Sequence, residues 1–331
     1  MRFSTRRQQF LAVARLTVLE ITRQPLCLLL ALTCVALIAL VPLVLMHNLG
    51  EDTRLARDSA LALHFTFGLI FAGEAASAAL SRELRRGTAA VLLSKPFSRE
   101  LLFLAKFAGV AAAVLLFSAA AALATLLSDR VAERFVSSGP LVGYVTDWIT
   151  GDLLLASPLV ACGLAGYINY RRGRPYGSTA FGLLLACLVL VLLAGGFYDR
   201  LGHFAPYHPG LEWRILPVSL LMTLALLVLS AVAITLSTRL SAVPTVTLCS
   251  VLFVLGLLSD YLFGRHAASS HLAGFLYRLT PNWQHFWLAD ALRQGGTVPW
   301  TYVGQALLYA AAYAGAVLSL GTLLFRHTEV R

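Results

Sequence analysis

The run LCLLLALTCVALIALVPLVLM, residues 26–46, contains no charged side chain. A helix rises 1.5 Å per residue, so about 20 apolar residues cross the ~30 Å hydrocarbon core of a bilayer. Seven further runs of similar character follow: 59–80, 107–127, 153–170, 177–197, 215–236, 242–263 and 302–325. The run 153–170 is the shortest and carries Pro158, Gly163 and Gly166. The whole chain of 331 residues is 58% hydrophobic and only 13% charged. A soluble domain is about 25% charged. A soluble globular enzyme, a disordered tail and a collagen-like fibre are therefore excluded. The expectation is an all-α, polytopic transmembrane helical bundle of about eight spans, six core and two additional, in one domain over residues 1–331.

Charge placement orients the bundle. With the N-terminus cytoplasmic, 17 of the 26 Lys and Arg fall in inside segments and nine in outside ones. That obeys the positive-inside rule with both termini cytoplasmic. The net charge of +10 then marks topology, and nucleic acid is not needed as a partner. The first apolar run begins about 25 residues in and is long enough to span, so it reads as a retained anchor rather than a cleaved signal. All five cysteines (Cys27, Cys34, Cys162, Cys187 and Cys249) fall in spans, with no CxxC, so disulfides and a zinc cluster are not expected.

Two segments do more than cross. In residues 1–25, Phe10, Leu11, Ala14, Thr17, Val18 and Ile21 recur at helical spacing, opposite Arg15, Glu20 and Arg23. This pattern predicts an interfacial helix on the cytoplasmic surface, ended by Pro25. A plain basic flank is the other reading. Residues 81–106, SRELRRGTAAVLLSKPFSRELLFLAK, form a loop with six of the inside cations. Gly87 and Pro96 divide it into two amphipathic pieces. Its short apolar run suits a docking surface for another protein, or a helix extension lying in the headgroups.

The order Glu83, Gly87-Thr88, Leu92-Leu93-Ser94, Pro96, Arg99, Lys106 resembles the loop after the second span of ABC-2-type ABC transporter permeases. That pattern reads E-x-x-x-G-T-x-x-x-L-L-S-x-P-x-x-R, then K about seven residues on. Thr280-Pro281-Asn282-Trp283-Gln284-His285-Phe286, followed by Asp290, is similar to the aromatic element before the last span, within the extracytoplasmic segment 264–301. The usual count in that family is six spans. The resemblance implies a permease that forms the path, a second permease copy, and two copies of a separate ABC ATPase that bind ATP and Mg. It implies that residues 83–99 seat in a cleft of the ATPase. Leu92 and Leu93 would grip, and Arg85, Arg86 and Arg99 would set register. Independently, the chain has only two lysines, Lys95 and Lys106, and neither follows a glycine, so it supplies no Walker A site. No cofactor is expected on the chain itself.

Glu74 is the ionisable residue read as lying deep in a span. It reads either as a structural hydrogen bond to a neighbouring helix or as a transport contact. A non-ABC secondary carrier, or an intramembrane enzyme using Glu74, is the alternative reading of the chain. Outside, Asp199, His203, His208, Glu212, His266, His271, His285 and Asp290 are potential copper or zinc donors. They lack helical H-x-x-x-H spacing and share their segments with Phe204, Tyr207, Trp213, Trp283, Trp287 and Trp300, which read as an interfacial aromatic belt. No metal site is expected. No G-x-S-x-G or H-E-x-x-H is present, so no catalytic residue is assigned.

Overall fold

The computed structural model describes residues 3–45, 53–82, 98–136, 143–266 and 270–326. Its helices are α1 Phe3–Arg23, α2 Pro25–Val44, α3 Arg54–Ala76, α4 Arg99–Val131, α5 Trp148–Arg172, α6 Tyr176–Gly195, α7 Ile215–Leu236, α8 Ala242–Leu257, α9 Ser259–Leu262, α10 His271–Leu279 and α11 Trp300–Arg326. A π-turn, Ser77–Ser81, extends α3. Strands β1 Arg134–Val136 and β2 Gly143–Val145 form a small antiparallel hairpin with Phe135 opposite Tyr144. Among the described residues, seven helices are long and apolar enough to cross a membrane. The protein is an all-α integral membrane bundle.

Local chemistry sets the boundaries. Pro25 occupies the first turn of α2, where its missing N–H costs nothing, and Gln24 before it is extended. Asp147 caps α5 by accepting from the Thr150 N–H at 3.0 Å. Gly173, at φ 63°, ends α5 in the left-handed region that favours glycine. Despite Pro158, Gly163 and Gly166, α5 is one continuous helix, so the short fourth span exists. In lipid, neighbouring groups re-satisfy the backbone that proline frees.

The helices α3, α4 and α7 form the centre. The pair α5 and α6 packs on one side, with α2 between it and α3. Helix α11 lies along α7 and α4, and α8 lies against α3. Helix α1 packs along α4. There, a Cβ on Gly109 would lie 2.5 Å from the Thr17 Cβ and 2.8 Å from the Ala14 carbonyl oxygen. Only a glycine lets the two backbones approach this closely.

The seventh span is not the continuous helix 242–263 that hydropathy suggests. Ala242–Leu257 and Ser259–His266 meet at 62°. The ring of Trp283 lies against Gly256, where an added Cβ would come within 2.3 Å of it. Trp283 Nε1 donates to the Leu252 carbonyl at 3.3 Å, and Gln284 Nε2 to the Leu257 carbonyl at 3.4 Å. Gln284 thus serves a terminal carbonyl of α8, while Trp283 braces the helix one turn earlier. Counting the bent pair as one span raises the total to eight.

The third span is also longer than its apolar core. Helix α4 has 33 residues, and Ser98 caps it by accepting from the Leu101 N–H at 3.4 Å. Residues 99–106, read as the end of a loop, are therefore its first two turns.

Candidate functional site

Of the residues singled out by sequence, Glu74, Arg82, Arg99 and Lys106 lie toward one end of the bundle, here the loop end, where the described chain stops at Arg82 and resumes at Ser98. Glu83, Arg85, Arg86, Gly87, Thr88, Leu92, Leu93, Ser94 and Pro96 lie outside the described residues. Their two anchoring points are visible. On one side Arg82 pairs with Glu74, and its other nitrogen donates to Gln24 Oε1 at 2.6 Å. Glu74 thus finds its partner on its own helix rather than on a neighbouring one. Two guanidinium nitrogens let one arginine serve both acceptors. The Glu74 side chain is 9% exposed and the Arg82 side chain 32%, so the pair runs from interior to surface.

On the other side, Arg99 donates to the Arg326 carbonyl at 2.9 Å, while Arg326 pairs with Glu100. The start of α4 is thereby tied to the end of α11. Lys106 is not a loop cation on a docking surface. It is 4% exposed, and its ammonium lies 3.8 Å from the Glu20 carboxylate of α1. Burying a charge of this kind requires a partner, and α1 supplies it.

The Pro281-Asn282 element sits toward the opposite end. The Asn282 N–H donates to the Tyr309 hydroxyl at 3.2 Å, and its Oδ1 accepts from the Gln284 N–H at 3.0 Å. Its Nδ2 contacts Asp260 Oδ1 at 3.4 Å, which also accepts from the Tyr277 hydroxyl at 2.7 Å. That bond holds the Tyr277 phenol above its usual range. Asn282 therefore joins α9, α10 and α11. Pro281 presses its carbonyl against Gly256, and Asp290 is exposed in the turn Ala289–Gly295. Trp283 does not belong to the aromatic belt, being 2% exposed, whereas Phe204, Tyr207, Trp213 and Trp300 are exposed.

Several polar groups escaped the sequence reading. Arg130 is 5% exposed and lies in α4 rather than in a loop. Its Nε donates to Asp147 at 2.9 Å, and its two terminal nitrogens reach the carbonyls of Gly195, Tyr198 and Pro209. Arg200 bonds the carbonyls of Arg130, Ala132 and Val145, and burial holds its pKa down to about 10. Asp129 is held by Arg134 at 2.7 Å and Arg57 at 3.9 Å. These groups pin the β1–β2 end, here the hairpin end. His64 is fully buried in α3, with both ring nitrogens lacking a partner among the described residues. The signal for the arginine knot was Asp129-Arg130 beside an apolar run with Asp147 soon after; for His64 it was a lone imidazole inside a span.

Of the potential metal donors, Asp199 instead caps its own turn, accepting from the N–H groups of Leu201 at 3.0 Å and His203 at 2.8 Å. Among the described residues no three His, Cys, Asp or Glu side chains gather around a common point.

The chain matches no protein-family model and no curated protein.

Proposed function

We propose that this chain is the membrane permease subunit of an ABC-2-type ATP-binding cassette exporter in a bacterial inner membrane. It works beside a second permease copy and two separate ABC ATPase subunits, which carry the ATP and Mg. Both termini face the cytoplasm in this reading, α1 lies in the cytoplasmic interface, and residues 83–97 form the docking loop.

One observation carries the proposal. Arg82 and Arg99, which flank the 83–97 segment, are each bonded to another element, Arg82 to Gln24 at the α1–α2 corner and Arg99 to the end of α11. Displacement of the loop is therefore delivered at once to the first, second, third and last spans. A loop that merely connected α3 to α4 would need neither bond. The resemblance of residues 83–106 to the permease loop and the lack of a Walker A lysine agree with this division of labour. Helix α11 has open faces for a second copy, because a Cβ on Gly304 or Gly315 would meet no atom within 4 Å. The pairing of Glu74 with Arg82 favours a structural role for that carboxylate over the carrier or enzyme alternative.

The test is co-purification with an ATPase encoded beside this chain. Arg85→Glu with Arg86→Glu should abolish retention of the ATPase while leaving the permease in the membrane. Retention equal to wild type would overturn the docking assignment.

A further inference from the structure

A cavity of about 450 Å³ opens between α1 and α4 at the loop end. Its lining includes Leu16, Leu19, Glu20, Arg23, Gln24 and Lys106. Three features give it a chemical preference. First, it contains two cations against one carboxylate. Lys106 is buried, whereas its partner Glu20 has 41% of its side chain in contact with solvent. Arg23 is exposed at the rim. Second, Arg82 occupies Gln24 Oε1, which leaves the amide nitrogen as the donor end of that side chain. The polar wall is thus rich in donors and carries an excess positive charge. Third, the lip is apolar: Val13, Leu16 and Leu19 line it, and Leu16 is 65% exposed. On a membrane protein such leucines, at the end of the bundle, face lipid.

A recess with a cationic floor and an apolar lip suits a molecule with a phosphate beside a hydrocarbon chain. Lys and Arg give charge-assisted hydrogen bonds to phosphate oxygens, and basic pockets on the cytoplasmic side of membrane proteins take lipid headgroups. We propose that this cavity binds the phosphodiester of an anionic phospholipid, with Lys106 and Arg23 on its oxygens and Leu16 along its acyl chain. The bound lipid clamps α1 onto α4 beside the Gly109 contact. The inference rests on the chain being a membrane bundle and not on the exporter reading.

The experiment uses the isolated full-length chain without any ATPase, so its failure is separable from failure of the exporter proposal. The protein is reconstituted in an equal mixture of phosphatidylglycerol and phosphatidylcholine, and retained lipid is counted by native mass spectrometry. Wild type should retain phosphatidylglycerol preferentially, by about five-fold per contributing cation. Lys106→Met with Arg23→Gln should remove the preference. Glu20→Gln should raise it, because the competing carboxylate is gone, and a folding defect does not mimic a gain. An unchanged preference in the double variant, or a fall in Glu20→Gln, overturns the site. Loss of the wild-type preference in excess inorganic phosphate would assign the cavity to free phosphate and overturn the lipid assignment.

Discussion

At the hairpin end, Arg130 is buried and divides its donors among Asp147 and the carbonyls of Gly195, Tyr198 and Pro209. At the loop end, Arg82 is a third exposed and bonds two side chains, Glu74 and Gln24. The first arginine gathers a carboxylate and three carbonyls away from water; the second runs from a buried carboxylate toward the surface. Buried arginine on carbonyls makes a rigid clamp, while a half-solvated pair can open and close at small cost. The arginine at the hairpin end is thus enclosed and the one at the loop end reaches the surface, next to the segment proposed to meet the motor.

The contrast breaks most easily at Arg130. Arg130→Leu takes the cation from Asp147, which keeps only its Thr150 hydrogen bonds, and removes a donor from three carbonyls; breaking such a buried pair costs roughly 3–5 kcal/mol. Thermal unfolding in detergent should show a large drop in Tm and in yield; an unchanged Tm would remove the difference between the ends. Gly256→Ala should cost about 1–3 kcal/mol through the collision with Trp283. Gly163→Ala in α5, with open space around it, should be close to neutral, and the pair read by tryptophan fluorescence and Tm sharpens the role of the α8 break.

At the loop end the effects are smaller. Arg82→Gln and Glu74→Gln should show a coupling of about 1 kcal/mol in a double-mutant cycle. A coupling as large as the Arg130 effect would make the two ends equivalent. The smallest effect is at Glu212, whose carboxyl is held below its usual range mainly by its hydrogen bond from Arg214. Its contribution is present above the usual glutamate pKa and fades as pH falls through the lowered folded value. Solvent exposure limits it to under about 1 kcal/mol. Glu212→Gln should flatten that part of the Tm–pH curve by lowering Tm slightly near pH 7, while leaving Tm unchanged at acid pH where the contribution is already gone.

Hydropathy alone reached seven of the crossing helices, and the Pro25 boundary between α1 and α2 came from proline chemistry. The features it missed share one cause. Apolar averaging registers that a charge is present but not whether a partner is waiting. Lys106 looked like loop because the Glu20 partner lies 86 positions away, and Asp129-Arg130 looked like an outside flank because Asp147 returns only after the β hairpin. Trp283 looked interfacial because nothing local reveals that Gly256 leaves it a seat. The break at Leu258 was hidden for the same reason, since the carbonyl partners come from residues 283 and 284. In the candidate site, Glu74 and Arg82 were both visible in the sequence, but the Gln24 bridge was not.

The π-turn Ser77–Ser81 lies between Glu74 and Arg82. A π-turn holds one more residue than an α-turn. Tightening it to ordinary helix would push that residue along the axis by about 1.5 Å and swing the chain beyond it by about 100°. Arg82 would then leave Glu74 and Gln24 together. The last turn before residue 83 therefore carries one residue of slack, and the bonds of Arg82 hold it there.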